Sequence, residues 1–134
     1  IKSGADIIAF DATKRKRPFS TKEIIYKIKK ANRLAMADCS NLEDAKNAVL
    51  EGVDIIGTTL EGYVGKQVKD TDEPNFKLVK QFRKLNCFVM AEGRYNSPKL
   101  AKKAMLAGAD AVTVGSAITR IDNITSWFVK EITY

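Results

Sequence analysis

Residues 108–116 read Gly-Ala-Asp-Ala-Val-Thr-Val-Gly-Ser. A glycine able to close a preceding helix stands before an acid able to open a turn. A short apolar run of strand character follows and ends on glycine and a small polar residue. The front of this unit recurs at Gly4-Ala5-Asp6 and Gly52-Val53-Asp54, each time just ahead of an apolar run. Such runs occupy 7–10, 34–37, 53–57, 87–91 and 111–114. Helical spacing fills the intervals: Ile24, Ile25 and Ile28; Ala45, Ala48 and Val49; Phe76, Val79 and Phe82; Leu100, Ala104 and Met105; then Ile124, Trp127, Phe128 and Ile132. Ser20 with Glu23, and Ser40 with Glu43, have the spacing of capping boxes, and Ser97-Pro98 suits a cap followed by the first helical residue. Near-continuous apolar strands, each followed by an amphipathic helix, belong to a parallel sheet covered by helices. The expected class is α/β, one domain over residues 1–134 built from five βα units. Two closures fit: a doubly wound open sheet, or part of a (β/α)₈ barrel, which at about 27 residues per unit needs roughly 215 residues.

Composition narrows the chemistry. Histidine is absent, so Ser-His-Asp and Cys-His nucleophiles and His-ligated zinc are excluded, and no metal set is expected. Catalysis must use carboxylates, lysine or backbone dipoles. Lys and Arg outnumber Asp and Glu 23 to 16, a balance of +7 that favours an anionic partner. The basic residues are scattered and carry no aromatic-interleaved motif, so phosphate-bearing small molecules are expected rather than nucleic acid. No apolar run approaches the roughly 18–20 residues of a membrane span. Cys39 and Cys87 lack CxxC spacing, and the opening Ile1-Lys2-Ser3-Gly4 does not read as a leader, so a cytoplasmic protein without disulfides is expected.

In either closure the C-terminal strand ends share one rim, which would gather Asp11, Asp38, Thr58 with Thr59, Glu92 and Gly115-Ser116. Three carboxylates on one rim should raise at least one pKa, the usual condition for acid–base work. A lone strand-end Asp is more often a turn or cap. Glu92 has no such turn role and is followed by Gly93, where backbone can approach a ligand closely. The Gly115-Ser116-Ala117 turn offers free amides to an anion, Gly93 on the preceding strand offers a second such turn, and Arg120 could add a charged contact. Residues 59–74 form the longest stretch without helical periodicity, either a lid or a surface excursion. The run Lys14-Arg15-Lys16-Arg17-Pro18 is a rim loop in which Arg17 could pair with Asp11.

Taken in order, Asp11-Ala12-Thr13 with Arg17-Pro18, Ala37-Asp38, residues 57–63 (Gly-Thr-Thr-Leu-Glu-Gly-Tyr), Ala91-Glu92-Gly93-Arg94 and residues 115–120 (Gly-Ser-Ala-Ile-Thr-Arg) resemble the N-acetylmannosamine-6-phosphate 2-epimerase family over nearly the whole chain. The resemblance implies a TIM (β/α)₈ barrel, of which this chain supplies about the last five units. It implies interconversion of N-acetylmannosamine 6-phosphate and N-acetylglucosamine 6-phosphate in bacterial sialic acid breakdown, without a cofactor. It makes Glu92 and Asp38 the catalytic pair. It places Gly93, Arg94, Gly115, Ser116 and Arg120 at the phosphate, leaving Thr58, Thr59 and Asp11 as substrate-binding rim residues. The family's proton-transferring lysine and a sugar-binding arginine come from earlier strands that this sequence does not include, so an inactive fragment is expected. A homo-oligomer, a dimer, is the expected assembly. Rival readings are another sugar-phosphate barrel enzyme, of the ribulose-phosphate or indole-glycerol-phosphate type, and a non-catalytic half-barrel that binds polyanions.

Overall fold

Strands and helices alternate as β1 (Ile7–Asp11), α1 (Thr21–Lys30), β2 (Leu34–Asp38), α2 (Leu42–Leu50), β3 (Ile55–Gly57), α3 (Phe76–Phe82), β4 (Phe88–Glu92), α4 (Pro98–Leu106), β5 (Ala111–Thr113), α5 (Ser116–Thr119) and α6 (Ile121–Ile132). A 3₁₀ turn over Arg83–Leu85 extends α3. This is a computed structural model, and it describes residues 1–65 and 72–133. All four strand pairings are parallel, in the order β1-β2-β3-β4-β5. A doubly wound sheet reverses its strand order at a switch point. This sheet never does, so the second closure holds: the chain is a five-strand arc of a (β/α)₈ barrel.

Local chemistry explains where most helices start. Ser20 accepts from the Glu23 amide while the Glu23 carboxylate accepts from the Ser20 amide, the reciprocal box its spacing predicts. Ser97 accepts from the Leu100 amide, with Pro98 opening α4. The Ser40–Glu43 expectation is off by one position. Asn41 is the cap, its side-chain oxygen taking the amides of Glu43 and Asp44, and Asp44 in turn accepts from the Ser40 amide at 3.0 Å and hydroxyl at 2.6 Å. Asn is as strong a cap as Ser, and it stands one residue nearer the helix.

The Gly-x-Asp repeat also has a structural reason. Gly108 and Gly52 take φ of +104° and +91°, reversing the chain after a helix. Asp54 then accepts the Ala35 amide at 2.9 Å and Asp110 accepts the Val89 amide at 2.8 Å, so each acid ties the start of its own strand to the strand before it. Lys29 and Arg83 neutralise these two acids, each at 2.9 Å. Asp6 opens β1 and pairs with Arg33.

The two faces of the sheet differ. Ala35, Ala37, Ile56, Val89 and Ala91 are fully buried against Ile25, Ala45, Val79, Phe82 and Ala104 of the helices. Side chains alternate along a strand, so Asp11, Met36, Asp38, Gly57, Met90 and Glu92 belong to the opposite face. Among the described residues none of these side chains joins the helix-covered core, and Ile7, Leu34 and Phe88 at the N-terminal end of this face are exposed. In a barrel this is the inner face.

Candidate functional site

Strand register sets the site. Asp11 on β1 pairs with Asp38 on β2, Asp38 with Gly57 on β3, and Gly57 with Met90 on β4. Glu92 lies one inward-facing position further along β4, beside Thr113. The strand-end carboxylates therefore share the helix-free face at its C-terminal rim, and Glu92 is not under the helical layer.

Gly57 leaves its inward position empty, and the chain after β3 uses that space. A Cβ there would lie 2.9 Å from Thr59 Oγ1 and 2.8 Å from Met36 Cε. The Thr59 hydroxyl stands 2.8 Å from Asp38 Oδ1 and 3.3 Å from Glu92 Oε2, bridging the two acids. Thr58 is buried and points the other way. Its hydroxyl donates to the Glu92 carbonyl at 2.8 Å and accepts from the Glu92 amide at 3.0 Å, which fixes the backbone that carries the glutamate.

The three acids titrate differently. Burial pushes Asp38 up, against the Thr59 hydrogen bond and with help from the charge of Asp11. Burial likewise raises Glu92, with the charge of Asp38 adding to it and Thr59 opposing it. At Asp11 burial is outweighed by the Thr13 hydroxyl and amide and by Arg15, so its carboxyl falls below the usual range. Arg17 donates to the carbonyls of Asp11 and Thr13 and stands 3.7 Å from the Asp11 carboxylate, the expected pairing. Burial, with like charge adding to it, thus raises two acids, while hydrogen bonds and Arg15 lower the third.

Beside Glu92 is a cavity of about 210 Å³ lined by Thr59, Tyr63, Gly93, Arg94, Tyr95, Asn96, Thr113, Gly115 and Ser116 as well as Glu92. Whole-ligand pockets usually run ~300–1,000 Å³, so this one takes one end of a ligand whose remainder lies over the open face. Gly93 needs its φ of +101° to make the first turn. The second turn is Gly115 leading into α5, where no side chain caps the first amides. Grooves of about 500 and 450 Å³ among the described residues include none of the three rim carboxylates: the first, of mixed charge, runs between residues 12–21 and α2, and the second is mainly apolar and lies along α1.

Two arginines behave differently from their neighbours in sequence. Arg94 takes φ +64° directly after the Gly93 turn. Its guanidinium pairs with the Glu61 carboxylate, donates to the Glu61 carbonyl at 2.9 Å and lies over the Tyr63 ring at 5.7 Å. Arg94 thereby ties the loop after β3 to the Gly93 turn, and it lines the cavity with its guanidinium paired to Glu61. Arg120 is exposed, bonds Asp122 at 2.9 Å, and is not among the lining residues. Sequence reasoning did not single out Tyr95, Asn96 or Thr113. Thr113 was recoverable as the inward residue of β5 opposite Glu92; the other two follow from the Gly93 turn. The segment 59–74 is described only in part, since residues 66–71 lie outside the described residues.

A family model described as "Putative N-acetylmannosamine-6-phosphate epimerase" matches residues 1–134. The chain belongs to this epimerase family. A relative from Haemophilus influenzae, named "Putative N-acetylmannosamine-6-phosphate 2-epimerase", is 52% identical over 97% of this chain and 56% of its own length. One of the same name from Vibrio vulnificus is 57% identical over 94% of this chain and 55% of its own. The solved N-acetylmannosamine-6-phosphate 2-epimerase from Clostridium perfringens superposes with a TM-score of 0.91 at 40% identity, covering 98% of this chain and 58% of that one. The chain thus spans somewhat over half the length of these three relatives. Among its described residues no helix is long and apolar enough to cross a membrane.

Proposed function

We propose that this chain carries the phosphate-binding and carboxylate part of an enzyme that interconverts N-acetylmannosamine 6-phosphate and N-acetylglucosamine 6-phosphate. The reading rests on one observation: the Glu92 carboxylate and the turns at Gly93 and Gly115–Ser116 line a single cavity on the helix-free face. Membership of the epimerase family supports it.

Inverting C2 of an acetamido sugar breaks a C–H bond beside a carbonyl. The ring opens to the aldehyde, the C2 proton leaves, the enolate charge is held, and a proton returns to the other face. The backbone amides of the two glycine turns bind the 6-phosphate, remote from C2, and this contact orients the reacting end. Glu92, its carboxyl raised above the ordinary range by burial, serves as the acid or base of the ring-opening and C2 steps. Asp38 orients sugar hydroxyls, with Asp11 and Thr59 at its side. Arg120 holds Asp122 outside the cavity, and Arg94 lines the cavity with its charge balanced by Glu61. The lysine and arginine implied by the family resemblance come from outside this chain, so the chain alone binds the sugar phosphate without turning it over. Sialic acid breakdown in a bacterial cytoplasm is the setting we infer.

The test is deuterium incorporation. In D₂O with N-acetylmannosamine 6-phosphate, the chain fused behind the part of the Haemophilus influenzae relative it does not cover should place deuterium at C2. Glu92→Gln in that fusion should lower kcat by roughly 10²–10⁴. No label at C2, or a loss under about threefold, would overturn the assignment.

A further inference from the structure

A hydroxyl has one proton to donate, yet Thr59 Oγ1 lies within reach of two carboxylates, 2.8 Å from Asp38 and 3.3 Å from Glu92. If both acids were ionised, one contact would set a lone pair against a negative oxygen. Both become full, linear hydrogen bonds only when a single proton resides on the pair: a protonated Glu92 donates to Thr59 Oγ1 while Thr59 donates to Asp38, or the whole chain runs in reverse. Gly57 makes this arrangement possible, because any side chain at that inward position would collide with the Thr59 hydroxyl.

Resting on the epimerase reading of the site, we propose that Thr59 is a positioning residue that passes one proton between Asp38 and Glu92, so that the two carboxyl groups work as one acid–base unit. In the transfer the Glu92 O–H bond breaks as a new O–H bond forms at Thr59 Oγ1, and the original Thr59 proton moves to Asp38. The net change is Glu92 carboxylic acid and Asp38 carboxylate becoming Glu92 carboxylate and Asp38 carboxylic acid, with Thr59 unchanged. Once Glu92 has taken a proton from the substrate, it thereby hands a proton to Asp38 and is a carboxylate again without opening the site to water.

The groups that face this pair can be named from every strand. On β1, Asp11 adds negative charge to Asp38 and is itself held by Thr13, Arg15 and Arg17. Cys39, next to Asp38, belongs to the helix-covered core, where burial pushes its thiol far up and keeps it neutral. On β5 the residue opposite Glu92 is the uncharged Thr113. The nearby guanidinium of Arg94 is committed to Glu61. No described cation pairs directly with Asp38 or Glu92, so the shared proton is what relieves their repulsion.

The test compares Thr59→Val, which keeps the shape and removes the hydroxyl, with Thr59→Ser, which restores it. Carboxyl-carbon NMR titration of Asp38 and Glu92 in the 134-residue chain reads the pair directly. The two midpoints, held apart by the shared proton, should draw together in Thr59→Val and separate again in Thr59→Ser. In the fusion described above, Thr59→Val should lower kcat roughly 10-fold and shift its pH profile, with KM changed less than about threefold. If Thr59→Val fails to fold, Gly57→Ala keeps the hydroxyl but displaces it, and should draw the two midpoints together in the same way. Midpoints that stay in place, or a shift that Thr59→Ser leaves uncorrected, would overturn the proposal. An inactive fusion whose carboxyls still respond to Thr59 would count against the epimerase reading alone.

Discussion

The two faces of the sheet are made from the same five strands and obey opposite rules. On the helix-covered face Ala35, Ala37, Ile56, Val89 and Ala91 are fully buried beside Phe82 and Val79, and the strands there are small and tightly interlocked. On the other face apolar side chains at one end are exposed, while the other end carries three acids and a glycine where a core would have a large side chain. Burial without polar atoms holds the arc together. Polar groups half-removed from water, at some cost in stability, supply its chemistry.

The most forceful way to break this contrast is to truncate one aromatic on each side. Phe82→Ala removes a fully buried ring from the helical layer and should cost ~3–5 kcal/mol, measured by urea unfolding. Phe88→Ser, at an exposed position on the opposite face, should cost less than ~1 kcal/mol. Equal losses would mean that both faces are structural.

A smaller effect sharpens it. The Glu92 carboxyl is raised above its ordinary 4.5 in the folded chain, so the folded state holds that proton more tightly than the unfolded one. Stability therefore declines as pH rises from about the ordinary value through the folded one. Glu92→Gln lacks this slope. It should be the more stable protein at pH 7, on the order of 1 kcal/mol or less once solvent screening of a half-buried carboxylate is allowed for, and no more stable than wild type below about pH 4. Thermal melts across that range check it; a Gln variant that is less stable at pH 7 would place Glu92 on the structural side of the comparison.

The helix-covered face was largely legible in the sequence because its signals are local. A capping box at Ser20, a Ser-Pro start at Ser97 and glycines at positive φ are short-range rules, and the Gly-x-Asp repeat proved to be the acid that bonds an adjacent strand amide. Failures were equally local: Asn41 displaced Ser40 as a cap, and the four-residue α5 is too short to show helical periodicity. The inner face was legible only as a set of strand ends. That Asp11, Asp38 and Glu92 share a rim follows from alternation and order. That Thr59 reaches between two of them depends on the space left by Gly57, and that Arg94 turns to Glu61 depends on a positive φ at a non-glycine residue. Neither can be read from residue types alone.

The account stands on Glu92 and the two glycine turns forming one site for a phosphate ester. Adding N-acetylmannosamine 6-phosphate to the ¹⁵N-labelled chain and following its amide resonances tests this most directly. Saturable shifts should concentrate at Gly93, Asn96, Gly115 and Ser116. Shifts confined to the basic loop at Lys14–Arg17, or none at saturating ligand, would contradict it.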